Sequence, residues 1–198
     1  MREEPLPATD EWTKIPHTDV ARSVAELITR GLTLGCAESL TGGALTSTFV
    51  SVPGVSEILR GGIVSYATDI KASVLGVSQR RLDETGPVDG DVALQMARGV
   101  CRVCGADVGL STTGVAGPGP VDGHPAGTVW IAIAGALGER SRLLHLRGDR
   151  GEIRKQTIDS PLARSKRCGS LFFSFAIMIS LFTPRTEWIV PVIPVSVM

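Results

Sequence analysis

The chain has 198 residues, of which 43% are hydrophobic and 20% are charged, and both fractions are ordinary for a globular protein. A chain of this length is most simply one domain with a substantial core. Lysine plus arginine and aspartate plus glutamate number 20 each, so the net charge is zero, which excludes a general electrostatic attraction to nucleic acid.

Helical and strand patterns alternate along the chain after a Pro-rich, charged lead-in over residues 1–17. Apolar spacing and capping residues predict helices over residues 18–30, 41–50, 68–75, 79–85, 89–104 and 149–158. Short apolar runs predict strands over residues 32–36, 62–66, 107–111, 128–134 and 141–146. Strands that alternate with helices indicate a layered α/β fold.

The cysteines are the candidate metal or redox residues, and they are Cys36, Cys101, Cys104 and Cys168. Cys101 and Cys104 form a CxxC inside a helical pattern, whereas a structural zinc site needs four ligands and the three histidines are scattered. We therefore predict buried thiols on a helix face and no metal, with a metal or redox site as the alternative. The N-terminus also lacks the apolar core of a signal peptide, which predicts a cytosolic protein.

The segment AESLTGG, residues 37–43, follows a short apolar strand and precedes a helix. Ligands bind at such strand ends in α/β sheets. Thr41, Gly42 and Gly43 would present backbone N–H groups at the start of the helix, where anions bind. Ser39 is therefore a candidate nucleophile beside an oxyanion or phosphate site, and the alternative is a plain N-cap. Neither a P-loop nor a GxSxG elbow is present.

A lysine follows the second predicted strand, in the segment SYATDIK, and it is Lys71. The positive end of a helix and partial burial both disfavour the charged form of a lysine. A neutral lysine can remove the proton of a serine, as in Ser-Lys variants of the catalytic triad. The alternative is a solvated surface lysine. Tyr66 lies five residues earlier and is the only tyrosine of the chain.

The segment STTGVAGPGP, residues 111–120, leaves a third apolar strand. Its hydroxyl groups and glycines suggest hydrogen-bond donors presented to a ligand from a loop between two strands. The alternative is an ordinary turn-rich loop.

Taken together, AESLTGG, GGIVSYATDIK, STTGVAGPGP, GTVWIAI and RGDRGEIRKQT resemble the CinA C-terminal domain family, which comprises nicotinamide-mononucleotide (NMN) amidohydrolases. The resemblance covers residues 18–158. It implies a single-domain, three-layer α/β/α sandwich that hydrolyses an amide without metal or cofactor. NMN and water would give nicotinate mononucleotide and ammonia, in pyridine-nucleotide salvage.

The resemblance also implies roles for individual residues. Ser39 and Lys71 would be the catalytic pair, and Tyr66 would orient Lys71 or pack on the pyridinium ring. Backbone N–H groups near Thr41, Gly42 and Gly43 would stabilise the oxyanion. The substrate pocket would be completed by Thr112, Thr113, Gly117 and Arg154, the last as a candidate phosphate ligand. A non-catalytic nucleotide-binding or interaction module is the alternative function, and a homo-oligomer is expected.

The tail over residues 159–198 departs from the family pattern, because Pro161 interrupts the closing helix. The apolar run Leu171–Phe182 would span only ~18 Å as a helix against a hydrocarbon core of ~30 Å, so membrane association is the less favoured interpretation. Losing the closing helix would expose apolar area, so we expect a marginally stable protein unless Leu171–Phe182 replaces that helix.

Overall fold

The computed structural model describes residues 17–159, which form five strands and six α-helices. In chain order the elements are α1 (His17–Arg30), β1 (Leu34–Glu38), α2 (Ala44–Val50), β2 (Leu59–Val64), α3 (Thr68–Ser73), α4 (Gln79–Thr85), α5 (Gly90–Cys104), β3 (Val108–Gly114), β4 (Thr128–Gly135), β5 (Arg140–His145) and α6 (Arg150–Asp159). A short 3-10 turn, Val55–Glu57, leads into β2.

The five strands form one mixed sheet in the order β2-β1-β3-β4-β5. Strands β2 and β3 both run parallel to β1, whereas β4 and β5 add antiparallel pairs at one side. From β1 the chain moves to one neighbour, β2, and then crosses back to the other, β3. Because both crossovers are right-handed by default, their helices lie on opposite faces of the sheet. The carboxyl ends of β1 and β3 therefore form a topological switch point, where ligands bind in such folds.

Helices cover both faces of the sheet and confirm the three-layer α/β architecture. Helices α1, α2 and α6 pack on one face around a core that includes Val24, Leu27, Phe49, Leu110 and Ile153. Helices α4 and α5 pack on the other face, where Leu82, Val92, Met96 and Val100 are buried with Leu75. In α5, Val92, Met96 and Val100 recur at a spacing of four residues, which gives the helix one apolar stripe toward the sheet.

The predicted elements all exist, but several begin or end elsewhere. Helix α2 begins at Ala44 rather than residue 41, because Gly42 and Gly43 have φ angles of 61° and 97° and therefore form a turn. Strand β1 runs two residues beyond the predicted end, to Glu38. Strand β3 continues beyond its predicted end at Ser111 to Gly114, so Thr112 and Thr113 lie in a buried strand and not in the predicted loop.

The predicted lead-in over residues 1–17 and the predicted tail over residues 159–198, with Cys168 and Leu171–Phe182, lie almost entirely outside the described residues. Those expectations therefore stay predictions. Within residues 17–159, no helix is long and apolar enough to cross a membrane.

Candidate functional site

Ser39 and Lys71 meet at the carboxyl edge of the sheet. Ser39 directly follows β1, and Lys71 lies in α3, which begins four residues after the end of β2. Because β1 and β2 are parallel neighbours, their carboxyl ends are adjacent, and Lys71 Nζ lies 3.0 Å from Ser39 Oγ. Ser39 is 8% exposed and Lys71 is 1% exposed. The structure thus brings together the two residues predicted as the catalytic pair.

The burial of Lys71 makes its neutral form more accessible than that of an ordinary lysine. Burial lowers the pKa of Lys71 from 10.5 to about 8. Lys71 Nζ donates to the backbone carbonyls of Ser65 at 2.7 Å and Tyr66 at 3.3 Å. A neutral amine has two N–H donors and one lone pair. When both donors bind these two carbonyls, the lone pair is left for the Ser39 hydroxyl, so the geometry suits proton removal from Ser39.

A buried carboxylate, Glu38, occupies the start of α2. Glu38 is 0% exposed, and its oxygens accept hydrogen bonds from the N–H groups of Gly43, Leu45 and Thr46 at 2.8–3.0 Å. The Thr46 hydroxyl adds a fourth bond at 2.6 Å. The helix N-terminus is therefore filled by an anion of the protein itself, as helix electrostatics favour.

This arrangement corrects the expected roles of Gly42 and Gly43. The N–H of Gly43 is bonded to Glu38, and the N–H of Gly42 donates to the Ser39 carbonyl at 3.1 Å. Neither N–H is free to bind an oxyanion. In contrast, the N–H groups of Leu40 and Thr41 donate no hydrogen bond to any residue in the described part of the chain, and Leu40 contacts the cleft beside Ser39.

Arg154 of α6 reaches the backbone that follows the nucleophile. Its Nε donates to the Leu40 carbonyl and its Nη2 to the Thr41 carbonyl, each at 3.0 Å. Two of its donors are therefore used within the protein, and Arg154 is not among the residues that line the cleft. The structure does not support the expected contact of Arg154 with a substrate phosphate.

Arg150 stands one helical turn before Arg154 and lies at the mouth of the cleft. Its guanidinium donates to the Tyr66 hydroxyl and to the Gly117 carbonyl, each at 2.9 Å. Tyr66 is 59% exposed and Gly117 has a φ of 81°. Tyr66 therefore contacts Lys71 through its main-chain carbonyl, while its phenol ring faces the opening.

The hydroxyl groups of β3 are used mainly to hold elements together. Thr112 Oγ1 lies 2.7 Å from Thr41 Oγ1, and both side chains are buried. Thr113 donates to the Pro87 carbonyl at 2.7 Å, and Ser111 to the Ala93 carbonyl at 2.6 Å. Thr113 thereby fixes the loop before α5, which forms part of the cleft wall.

The cleft has a volume of about 260 Å³ and opens beside Ser39. Five of the predicted site residues line it, namely Ser39, Tyr66, Lys71, Thr113 and Gly117. The other five do not line it, namely Thr41, Gly42, Gly43, Thr112 and Arg154. Their polar groups are engaged with one another, with Glu38 or with backbone carbonyls.

Sequence reasoning missed Arg150, Asp122, Glu38 and Ser65. Asp122 also lines the cleft and, with Gly123, forms the tip of a two-residue hairpin with φ angles of 48° and 77°. The Asp-Gly pair at residues 122–123 is a recognised signal for such a turn. The sequence places Arg150 at the N-terminus of α6, which is the only hint of its role. Arg154 lies on the same helix and is also an arginine, so the sequence pattern could not tell which of the two faces the cleft.

The described part of the chain holds no group of three or more histidine, cysteine or acidic residues that could bind a metal. Cys36, Cys101 and Cys104 are free thiols, and burial raises the pKa of each. Cys101 and Cys104 lie on α5, as predicted, but they are half-buried and not fully buried.

The fold and the site define a class: a three-layer α/β domain with a serine and a buried lysine at the carboxyl ends of parallel strands. The family model described as CinA C-terminal domain matches residues 17–168. The chain therefore belongs to the CinA C-terminal domain family, as the sequence motifs predicted.

Individual relatives agree with this assignment. A CinA-like protein of Frankia casuarinae is 48% identical over 141 residues, which cover 71% of this chain and 33% of the relative. The chain spans about a third of the length of the curated relatives it matches. A crystal structure of a CinA superfamily protein from Escherichia coli superposes with a TM-score of 0.72 at 28% identity, covering 91% of this chain and 95% of that one. A Klebsiella pneumoniae member gives 0.71 at 26%, covering 85% and 96%.

Proposed function

We propose that the protein is an amidohydrolase that deamidates NMN to nicotinate mononucleotide and ammonia. The observation that carries the proposal is the 3.0 Å separation of Lys71 Nζ and Ser39 Oγ, with the lysine buried against two carbonyl acceptors. Family membership and the motifs shared with NMN amidohydrolases support the choice of substrate.

The first step forms an acyl-enzyme. Neutral Lys71 takes the proton of Ser39, and Ser39 Oγ attacks the carboxamide carbon of the nicotinamide ring. The carboxamide oxygen becomes an oxyanion, and the unbonded N–H of Leu40, next to the nucleophile, is the donor best placed to stabilise it. Charged Lys71 then gives its proton to the departing nitrogen, which leaves as ammonia.

The second step regenerates the enzyme. Lys71, neutral again, accepts a proton from water, and the resulting hydroxide attacks the acyl carbon. The bond to Ser39 Oγ breaks and Lys71 returns its proton to Ser39. The product forms as a carboxylic acid, releases its proton to solvent and leaves as nicotinate mononucleotide.

The mouth of the cleft supplies partners for the rest of the substrate. Arg150 is the cationic side chain at the opening, and a planar guanidinium suits a phosphate group. The ring of Tyr66 is exposed beside it and can face the cationic pyridinium ring. A cleft of about 260 Å³ lies just below the usual range of small-molecule sites, roughly 300–1,000 Å³, so a mononucleotide fits it better than a larger ligand does.

Ammonia release from NMN tests the proposal. Ser39→Ala and Lys71→Ala should each abolish release while circular dichroism shows an unchanged fold, and wild-type turnover in either variant would refute the dyad. NMN binding by the wild-type protein without ammonia release would instead support a non-catalytic nucleotide-binding module. The expected homo-oligomer and cytosolic location stay predictions, and light scattering tests the first.

A further inference from the structure

We propose that Arg154 is a positioning residue for the nucleophile, acting opposite Glu38 across the nucleophile turn (residues 39–43). The inference rests on the proposed function, because it concerns how Ser39 is held for attack. It replaces the phosphate contact expected for Arg154 from the sequence.

Arg154 binds the acceptors of the nucleophile turn. Its Nε and Nη2 donate to the carbonyls of Leu40 and Thr41, the two residues after Ser39. The guanidinium reaches the two carbonyls from two separate nitrogens held in one plane, and the single nitrogen of a lysine cannot reproduce that spacing. Gly42 has a φ of 61°, so glycine suits the turn itself, and a side-chain carbon there would make only an ordinary contact with Arg154 Nη2 at 3.6 Å.

Glu38 binds donors at the end of the turn and in the first turn of α2. Its carboxylate accepts from the N–H groups of Gly43, Leu45 and Thr46. The turn is thus held by a cation on two of its carbonyls and by an anion on its last amide and on two amides of α2. Both contacts are charge-assisted and therefore stronger than neutral hydrogen bonds.

Two further backbone hydrogen bonds hold the turn in place. Ser39 N–H donates to the Thr112 carbonyl at 2.9 Å, and the Ser39 carbonyl accepts from Gly42. Among the residues of the turn, only Leu40 and Thr41 have N–H groups that donate no hydrogen bond within the described part of the chain, and Arg154 holds the carbonyls of these same two residues. Arg154 therefore fixes the orientation of the candidate oxyanion donor relative to Ser39 Oγ, and preorganised donors of this kind act on the rate of the chemical step.

The test compares Arg154→Lys with Arg150→Lys on two substrates, NMN and its dephosphorylated nucleoside, nicotinamide riboside. We expect Arg154→Lys to lower kcat at least about tenfold by the same factor on both substrates, with KM for NMN within about threefold of wild type. Arg150→Lys should instead reduce the preference for NMN over the riboside. A raised KM for NMN in Arg154→Lys, with the riboside unaffected, would show a phosphate ligand and overturn the proposal.

Two further measurements keep the test decisive. Arg154→Met retains the aliphatic stem, and millimolar guanidinium should restore part of its kcat; no rescue in a folded variant counts against positioning.

If the wild-type protein releases no ammonia from NMN, the proposed function fails, but Ser39 acylation by p-nitrophenyl acetate still reports on the turn. There Arg154→Lys should slow the burst of nitrophenolate by a similar factor, measured above a Ser39→Ala background. An unchanged burst rate would refute the role of Arg154.

Discussion

Replacing Lys71 by methionine should change how the stability of the protein depends on pH. Methionine has a similar unbranched length but carries no charge. In the wild-type native state the pKa of Lys71 is lowered to about 8 from the ordinary value of 10.5. Because each pKa unit corresponds to 1.36 kcal/mol, burial of the charged lysine costs ~3 kcal/mol of stability at pH 7.

The cost disappears over a defined pH range. Below about pH 8 both the native and the unfolded protein carry the proton on Lys71, so the native state bears the whole destabilisation from burying the charged lysine. Between pH 8 and 10.5 only the unfolded chain binds it, and the free energy of unfolding of the wild type rises with pH. The carbonyls that lose their partner in Lys71→Met weaken the variant equally at every pH. We therefore expect wild type to gain ~3 kcal/mol relative to Lys71→Met between pH 7 and pH 10.5.

Urea denaturation of both proteins at half-unit intervals of pH measures this difference. Groups that titrate in both proteins, such as the buried cysteines, cancel in the comparison. Lys155→Met is the matched control, since Lys155 is exposed on α6, and its stability should follow that of wild type. If the curves of wild type and Lys71→Met run parallel, Lys71 has an ordinary pKa and cannot supply a neutral amine near neutral pH.

Three further predictions concern catalysis and the nucleophile turn. The kcat/KM for NMN should rise about tenfold per pH unit up to about pH 8 and then level off, because neutral Lys71 is the base in the proposed mechanism; a profile flat from pH 6 to 9 would contradict this. Hydroxylamine should divert an acyl-Ser39 intermediate to the hydroxamate of the nucleotide, detectable by mass spectrometry, whereas direct attack by water would yield none. Gly62→Ala should destabilise the protein by roughly 1–3 kcal/mol in urea denaturation, since the new carbon would lie 2.2 Å from Thr46 Oγ1 and displace a hydroxyl bonded to Glu38; an unchanged midpoint would refute the close packing.

The sequence predicted the parts of the site that depend on chain topology. The position of Ser39 and Lys71 after two strands made each a candidate, and the family resemblance implied that they form a pair. The structure explains their proximity over 32 residues, because parallel neighbouring strands bring their carboxyl ends together. The α/β class followed from the same alternation of elements. The prediction of the α/β class succeeded because the spacing of apolar residues and the order of strands and helices can both be read directly from the sequence.

The parts that failed depend on which side chain reaches a given backbone group. Gly42 and Gly43 matched an anion site, but the anion is Glu38, a residue of the same motif whose rotamer no pattern reveals. Arg150 and Arg154 are one turn apart on α6, and only the packing of that helix against α2 decides which of them faces the cleft. Ser111–Gly114 resembled a loop by composition, although neighbouring elements satisfy its hydroxyl groups within β3.

The contact of Arg154 with Thr41 joins residues 113 positions apart in the sequence. Closing so long a loop is slow compared with forming the hairpin of β3 and β4 or the crossover from β1 to β2. During synthesis, the sheet and the proximity of Ser39 to Lys71 need only residues before α6. The bonds to the carbonyls of Leu40 and Thr41 can form only after α6 has left the ribosome, so a nascent chain would pair its strands before Arg154 fixes the nucleophile turn.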